Sequence, residues 1–528
     1  MPRFFNTAGS CRAELHYMLP AAERLPDVLA LVESQAYFVL HAPRQSGKTT
    51  SMMALAVQLT ATGRYAALHA TCEVAAVEPH NPAAASRIIV ENIQRRAGLA
   101  LPPQLQPPPR AAVASSDSPL EDYLSQWTES CPLPVVLFLD EIDGMQDEAL
   151  ISVLRQLRSG YETRPHRFPH SLGIYGMRDV RDYKMASGGS PNLRTSSPFN
   201  IKAESLSLRS FTAAEVATLY LQHTEDTGQS FTPGALALAF ELTRGQPWLV
   251  NALARQSVEK LVPDRAQTIT ADTIDKAKEL LIQSRATHLD SLTERLREDR
   301  VQRVMLPIVA GLDVDMSVPP DDIQYVQDLG LIDRKPLIGL DIANPIYREV
   351  IPRQLSWAAQ QFIRQSDRPW QLADGRIDID GLMEGFLDFW REGAENMVRT
   401  QPYNEAAGQL ILQAFFQRVI NGGGYIDREY ALGSKRLDLC IRWPYEVDGK
   451  RQVQRVAIEV KVWRTDEADP LAAGLVQLEA YLGRLVLPTG FLVVFDRRAA
   501  ANAVPWAERP RWDTAVTASG RAIRVLRL

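Results

Sequence analysis

No run of this 528-residue chain is apolar for anything like the ~20 residues that span a bilayer, so no membrane anchor or membrane partner is expected. Cysteine is scarce. Cys11, Cys72, Cys131 and Cys440 are scattered and form no C-x-x-C pair, which argues against a disulfide framework and against a zinc site. The N-terminus, Met-Pro-Arg-Phe-Phe-Asn-Thr, lacks the basic-then-apolar layout of a secretory signal, so a cytoplasmic location is expected. Neither sign of charge dominates: a net charge of −5 and a pI near 6.0 give no global drive toward nucleic acid, and any phosphate contact must use a local basic patch. Internal repeats, coiled-coil heptads and helicase-type motifs are missing as well. The last absence argues against a DNA-translocating motor.

What is present fits an ordinary folded protein. Hydrophobic residues make up 45% and charged residues 23%, near the average for globular domains. Domains usually run about 50 to 250 residues, so the length implies two to four of them. The first half alternates short β-rich apolar runs with helical patterns, the signature of a parallel sheet covered by helices. Tyr37–His41, Tyr65–His69, Val135–Leu139, Ser171–Tyr175 and Phe199–Leu208 read as its strands. Leu101–Pro109, rich in proline, and Met185–Pro198, rich in Gly, Ser, Pro and Asn, read as surface loops. From Thr212 to about Arg300 the pattern is helical, opening on a capping box at Thr212 and Glu215. The expected organisation is a parallel-sheet core at 1–210, a helical lid at 211–300, a winged helix at 301–355, a linker at 356–376 and an α/β domain at 377–528.

The strongest local signal is Ala42-Pro-Arg-Gln-Ser-Gly47-Lys48-Thr49-Thr50, which follows the first strand and opens a helix expected to begin near Ser51. It is a P-loop, G-x-x-x-x-G-K-[ST], with Ala42 at the first glycine position. That position needs a small residue more than glycine's dihedrals. Backbone N–H groups from Gln45, Ser46, Gly47, Lys48 and Thr49 would converge on the β-phosphate of ATP at the positive end of the helix. Lys48 would neutralise β/γ oxygens and the Thr49 hydroxyl would ligate Mg²⁺; Thr50 completes the motif. Val135-Val-Leu-Phe-Leu-Asp140-Glu141 is an apolar strand ending in two carboxylates, with Asp140 expected to hold hydrated Mg²⁺ and Glu141 to polarise the attacking water. Arg178, closing the fourth strand in Tyr175-Gly-Met-Arg178, reads equally as a γ-phosphate sensor or as half of a surface ion pair.

These motifs, with Arg244-Gly245-Gln246-Pro247-Trp248, resemble the AAA+-like STAND class of P-loop ATPases that carry a helical lid and a winged helix. The resemblance covers roughly Phe5 to Leu355. It implies that Pro247, within a G-x-P at the lid, approaches the nucleotide. It implies too that Phe5–Gly9 and His16–Pro20 form the N-terminal segment near the base.

The C-terminal segment carries Ser434-Lys-Arg-Leu-Asp438-Leu-Cys-Ile-Arg442, then Arg455-Val-Ala-Ile-Glu459-Val-Lys461-Val-Trp463, then Gln477-Leu-Glu-Ala-Tyr481. On a strand Glu459 and Lys461 share a face, because side chains alternate with period two. If Asp438 ends a neighbouring antiparallel strand, two carboxylates and the Val460 carbonyl make an oxygen-rich Mg²⁺ site, while Lys461 positions or activates water against a phosphodiester. An E-x-K alone is more often a charged strand face. The full set resembles the PD-(D/E)XK nuclease superfamily over about Ile377 to Asp496. That resemblance implies catalytic roles for Asp438, Glu459, Lys461 and Gln477, metal ligation by Asp438 and Glu459, and a helical Glu at Glu405. The proline of the family name is absent, since Leu437 precedes Asp438. Lys435, Arg436, Arg442, Arg464, Arg497 and Arg498 read either as a phosphate track or as solvated surface. Arg509, Arg511, Arg521, Arg524 and Arg527 read as a basic tail that tilts the expected partner toward DNA.

The expected fold is therefore α/β: a P-loop parallel sheet with a helical lid and winged helix, then a restriction-endonuclease-like domain. The expected function is a STAND-like ATPase controlling a nuclease, with a role in defence against foreign DNA implied by resemblance alone. A nucleotide-dependent signalling or scaffold protein, whose C-terminal domain binds nucleic acid or protein without cutting, is the alternative. DNA against RNA, and monomer against homo-oligomer, stay open.

Overall fold

A computed structural model describes residues 3–113, 116–145, 147–176, 204–283, 294–309, 314, 317–335, 339–355, 370–400, 408–409, 411–416, 425–432, 435–447 and 450–528. The chain divides into two units, Met1–His288 with Gln324–Ile332, and Leu289–Ile323 with Asp333–Leu528.

In the first unit α1 (Ala21–Arg24) and α2 (Pro26–Glu33) lead into β1 (Tyr37–His41), and α3 (Lys48–Ala61) follows it. Next come β2 (Ala66–Thr71), α4 (Pro82–Ala100), α5 (Pro119–Ser130), β3 (Val135–Asp140), α6 (Asp147–Ser159), β4 (Ser171–Gly176) and β5 (Glu204–Ser207). The five strands are parallel in the order β2-β3-β4-β1-β5. A parallel strand is buried on both faces, which is why β1 and β3 are apolar at every interior position. Tyr37, Val39, Val135, Leu137 and Leu139 pack with Ile89, Trp127 and Leu154 on one side. Phe38, Leu40, Val136 and Phe138 pack with Val28, Met52 and Leu55 on the other. This is a P-loop NTPase fold.

Two local expectations change. The helix expected near Ser51 begins at Lys48, because Gly47 takes a left-handed conformation (φ 87°) that ends the loop and lets the helix start at once. The Leu101–Pro109 stretch is not merely surface: Leu101 and Leu105 are buried in the core, and the Trp127 indole donates to the Leu105 carbonyl at 3.0 Å. Residues 177–203, including Arg178, the Met185–Pro198 loop and the start of the fifth expected strand, lie outside the described residues.

A helical segment follows: α7 (Ala213–Thr227), α8 (Pro233–Thr243), α9 (Pro247–Arg255), which continues as a π turn to Leu261, and α10 (Ala271–Gln283). Its helix starts follow from capping chemistry. Thr212 and Glu215 form the expected capping box, and Thr232 and Gln246 cap helices that open on Pro233 and Pro247. The N-terminal segment packs onto α7 through Arg3 with Asp226 and Tyr17 with His223.

Downstream lie α11 (Asp299–Val309), α12 (Pro320–Asp328), the paired strands β6 (Ile332–Lys335) and β7 (Gly339–Ile342), and α13 (Pro345–Leu355). The second unit then builds α14 (Ile379–Thr400), β8 (Tyr425–Leu432), β9 (Lys435–Val447), β10 (Lys450–Trp463), α15 (Leu471–Leu485), β11 (Gly490–Asp496), β12 (Arg511–Val516) and β13 (Ala522–Arg527). Its sheet order is β12-β13-β11-β10-β9-β8. β8, β9 and β10 form an antiparallel meander, and α15 carries the chain to β11, which runs parallel to β10. Phe386 and Trp390 of α14 pack one face, Leu478, Tyr481 and Leu482 of α15 the other.

Part of the expected linker belongs to this unit: Gln371 bridges to Ile377, and Trp370 packs against the core beside Phe415. Of the expected basic tail, Arg524 and Arg527 lie on β13, the last strand of the chain, and Arg511 opens β12. Arg524 pairs with Asp380 at 2.6 Å and Glu384 at 2.8 Å, and lies over the Trp512 ring at 4.1 Å. The buried Arg527 pairs with Asp469 at 2.8 Å and Asp513 at 3.0 Å. These guanidiniums are spent on carboxylates of their own domain, because a strand that ends in the core must neutralise any charge it carries there.

Two stability tests follow from these contacts. Thr212→Ala should cost about 1 kcal/mol, read as a lower urea midpoint. The hydrogen bond from Arg209 holds the Glu215 carboxyl down at about 2 against its ordinary value, so this cap's ionic contribution is complete above that ordinary value and lost as pH falls towards 2. Arg527→Ala should lower the thermal midpoint while leaving duplex-oligonucleotide binding unchanged; weakened binding with an unchanged midpoint would return it to the basic tail expected from the sequence.

Candidate functional site

Parallel strands deliver their carboxyl ends to one rim, and here the ends of β1, β3 and β4 bring the P-loop and the carboxylates together. Lys48, half-buried, donates to the carbonyls of Ala42 at 2.7 Å and Gly176 at 2.8 Å. Removal from water pulls its pKa down, against the attraction of Asp143, Asp140 and Glu141. The Thr49 hydroxyl donates to Asp140 Oδ2 at 2.6 Å. Burial opposes ionisation of Asp140, but hydrogen bonds from His69 and Thr49 outweigh it and hold the carboxyl below its ordinary range. Glu141 sits in a left-handed conformation (φ 55°) and accepts from the Thr71 hydroxyl at 2.8 Å. Its pKa is raised by loss of hydration and by the charges of Asp140 and Glu73, against the Thr71 bond.

The loop is set from both flanks. Gln45 and Gly47 take positive φ, and a side chain on Gly47 would meet the Arg24 guanidinium at 2.9 Å. Arg24, buried, donates to the carbonyls of Ser46 and Arg209 and stacks over Phe211 at 4.7 Å, and burial pulls its pKa down to about 10. Among the described residues the buried Ser46 hydroxyl has no hydrogen-bond partner. Thr50 accepts from the Cys11 N–H at 3.0 Å, so the N-terminal segment reaches the base of the loop. At the start of α9 Gln246 donates toward the Gln45 carbonyl at 3.5 Å, and Pro247 opens the helix in a buried position. Gly245 (φ 75°) is obligatory, since a Cβ there would lie 1.8 Å from the Phe211 carbonyl oxygen.

These groups fit a nucleoside triphosphate with Mg²⁺: an ammonium held only by carbonyls, a hydroxyl against a carboxylate, an orphaned hydroxyl and a loop opening a helix. Gln45, Ser46, Gly47, Lys48, Thr49, Asp140 and Glu141 are brought together. Arg178 lies outside the described residues. Sequence reading missed Arg24, His69 and Thr71. Only the pairing of β2 with β3 could have pointed to the last two, and a single sequence does not give it.

In the second unit Glu459 is 2% exposed, and Lys461, on the same face of β10, donates to its Oε1 at 2.7 Å. β9 pairs with β10 up to Leu439 opposite Ile458. The Asp438 side chain and all of Glu405 lie outside the described residues. Gln477 is exposed on α15, one turn before the buried Tyr481 that packs on the sheet. Among the described residues no three His, Cys, Asp or Glu side chains gather to hold a metal. Of the basic residues named near this site, Arg464 pairs with Glu467 at 3.3 Å, and Arg498 pairs with Asp496 and stacks on Trp463 at 3.3 Å. Those two are surface and strand-end pairs within the domain.

No protein-family model matches the chain, and neither does any curated protein sequence. Among solved structures, a Walker-type ATPase of Pyrococcus abyssi is similar at 12% identity, with 66% of this chain and 99% of that one covered and a TM-score of 0.47. The ORC2 protein of Aeropyrum pernix, in ADPNP and ADP complexes, is similar at 15% identity, 64% and 93% coverage and a TM-score of 0.39. A variant of RuvB from Thermotoga maritima is similar at 16% identity, 62% and 94% coverage and a TM-score of 0.34. The sheet order and the residues at its strand ends themselves make the first half of the chain a P-loop NTPase domain.

Proposed function

We propose that the chain is an ATP-binding and ATP-hydrolysing switch of the AAA+ and STAND type that governs a Mg²⁺-dependent, phosphodiester-cleaving domain. The observation that carries the ATPase reading is the meeting of Lys48 and Thr49, which follow β1, with Asp140 at the end of β3. Bound ATP with Mg²⁺ supplies the phosphoanhydride to be hydrolysed. Lys48 is held by two carbonyls and is free to trade them for phosphate oxygens. Thr49 and Asp140 would hold the metal. Glu141, with its raised pKa, is suited to accept a proton from water and to orient it.

The nuclease reading is supported by a buried carboxylate that the fold does not need. Burying Glu459 is costly even beside Lys461, and a costly buried charge pair is a candidate for a functional site. The order of hairpin, E-x-K strand and Q-x-x-x-Y helix is realised as β9, β10 and α15. Glu459 and Asp438 would hold Mg²⁺, Lys461 would position or activate the water, and nucleic acid, DNA in the first instance, is the substrate class. The segment from α11 to α13 has the element order of a winged helix and joins the two halves in sequence.

Lys48→Ala should abolish tight ATP binding, whereas Glu141→Gln should spare binding and slow hydrolysis; unchanged ATP affinity in the lysine variant removes the P-loop reading. Supercoiled plasmid should be nicked with Mg²⁺ or Mn²⁺, stop being nicked in EDTA, and resist Asp438→Ala, Glu459→Ala and Lys461→Ala variants. Cleavage that survives EDTA or all three substitutions places the chemistry elsewhere. If nucleotide state governs cleavage, nicking by wild type should differ between ATP, ADP and neither, and nicking by Lys48→Ala should stay at one level; equal rates throughout leave two independent activities.

A further inference from the structure

We infer that His69 and Arg96 form a relay that positions the metal-holding carboxylate of Asp140, an inference that rests on the nucleotide-site reading above. Neither residue belongs to the P-loop or to the carboxylate motif. His69 lies on β2 at 7% exposure, and its Nε2 is 3.2 Å from Asp140 Oδ2. Arg96, on α4, places Nη2 3.5 Å from the other ring nitrogen, Nδ1. A guanidinium has donors only, so Nδ1 accepts and the ring hydrogen sits on Nε2, where it donates to the carboxylate.

Asp140 is thus held at three points. Oδ2 accepts from Thr49 at 2.6 Å and from His69, and Oδ1 accepts from the Glu141 N–H at 2.9 Å. Thr49 and Asp140 are both assigned to the metal, so the contact between them is not independent of metal binding. That leaves the Glu141 main chain and His69 to fix the carboxylate plane. Among the described residues His69 is the side-chain anchor of Asp140 that metal binding does not consume. Arg96 acts through it: without the guanidinium the ring can take its other tautomer, and Nε2 then turns a lone pair toward the carboxylate.

A histidine that merely fills the core and satisfies its nearest carboxylate would affect folding without distinguishing metal from nucleotide. A positioning residue should affect the Mg²⁺-dependent part of nucleotide affinity alone. The test is calorimetric titration of ATP into the full chain, once in excess MgCl₂ and once in EDTA. For His69→Ala the gain in affinity conferred by Mg²⁺ should shrink on the order of 10-fold or more, the usual effect of losing an outer-shell partner, while affinity in EDTA stays at the wild-type value. His69→Gln, whose amide N–H can take the place of Nε2–H, should keep most of the gain. Arg96→Ala should fall between, and Arg96→Lys should recover toward wild type.

A full Mg²⁺ gain in both His69→Ala and Arg96→Ala overturns the relay, and so does an equal loss with and without the metal. If His69→Ala does not fold, Arg96→Ala, at a partly exposed position, decides by the same criterion. A wild-type chain that binds ATP with no Mg²⁺ gain overturns the nucleotide-site reading itself, and the relay with it.

Discussion

The 2.6 Å hydrogen bond from Thr49 to Asp140 joins positions 91 residues apart, and the first unit is organised around the constraint that makes it possible. Both residues stand at the carboxyl end of the sheet only because all five strands run one way and β4 alone separates β1 from β3. The strands can run one way only if both faces of the sheet are covered, which α2 and α3 do on one side and α4, α5 and α6 on the other. The helical segment after β5 depends on the same rim. Its approach is fixed at Gly245, where the backbone passes too close to Phe211 for any side chain, and Gln246 then reaches the Gln45 carbonyl.

The second unit handles charge in the opposite manner. Its arginines on β13 are matched by Asp380, Glu384, Asp469 and Asp513, so they stabilise the sheet rather than attract a polyanion. Glu459 and Lys461 are a charged pair in the apolar second half of β10, where their neighbours Ile458 and Val460 belong to the core. A buried ion pair is weak support for stability.

What was legible in the sequence was whatever depends on near neighbours along the chain. Doubly covered strands read as unbroken apolar runs, so β1 was placed to the residue, and the Thr212 capping box and the P-loop are local patterns with local causes. What was not legible depends on strand order. His69 and Thr71 are ordinary polar residues until β2 is set beside β3, when they meet Asp140 and Glu141. The β13 arginines looked like a free basic tail for the same reason, because Asp380 and Asp469 are far away in sequence. Leu101 and Leu105 were hidden by the prolines around them, which mark a turn without revealing which side chains it buries.

The central claim, that the rim of the first sheet is a Mg²⁺-nucleotide site, is tested most directly by a crystal structure of the chain grown with Mg²⁺ and a non-hydrolysable ATP analogue. The account predicts that Lys48 leaves the carbonyls of Ala42 and Gly176 for a phosphate oxygen and that the metal lies between Thr49 and Asp140. An analogue bound elsewhere, with Lys48 still on those two carbonyls and the Thr49–Asp140 hydrogen bond intact, would contradict it.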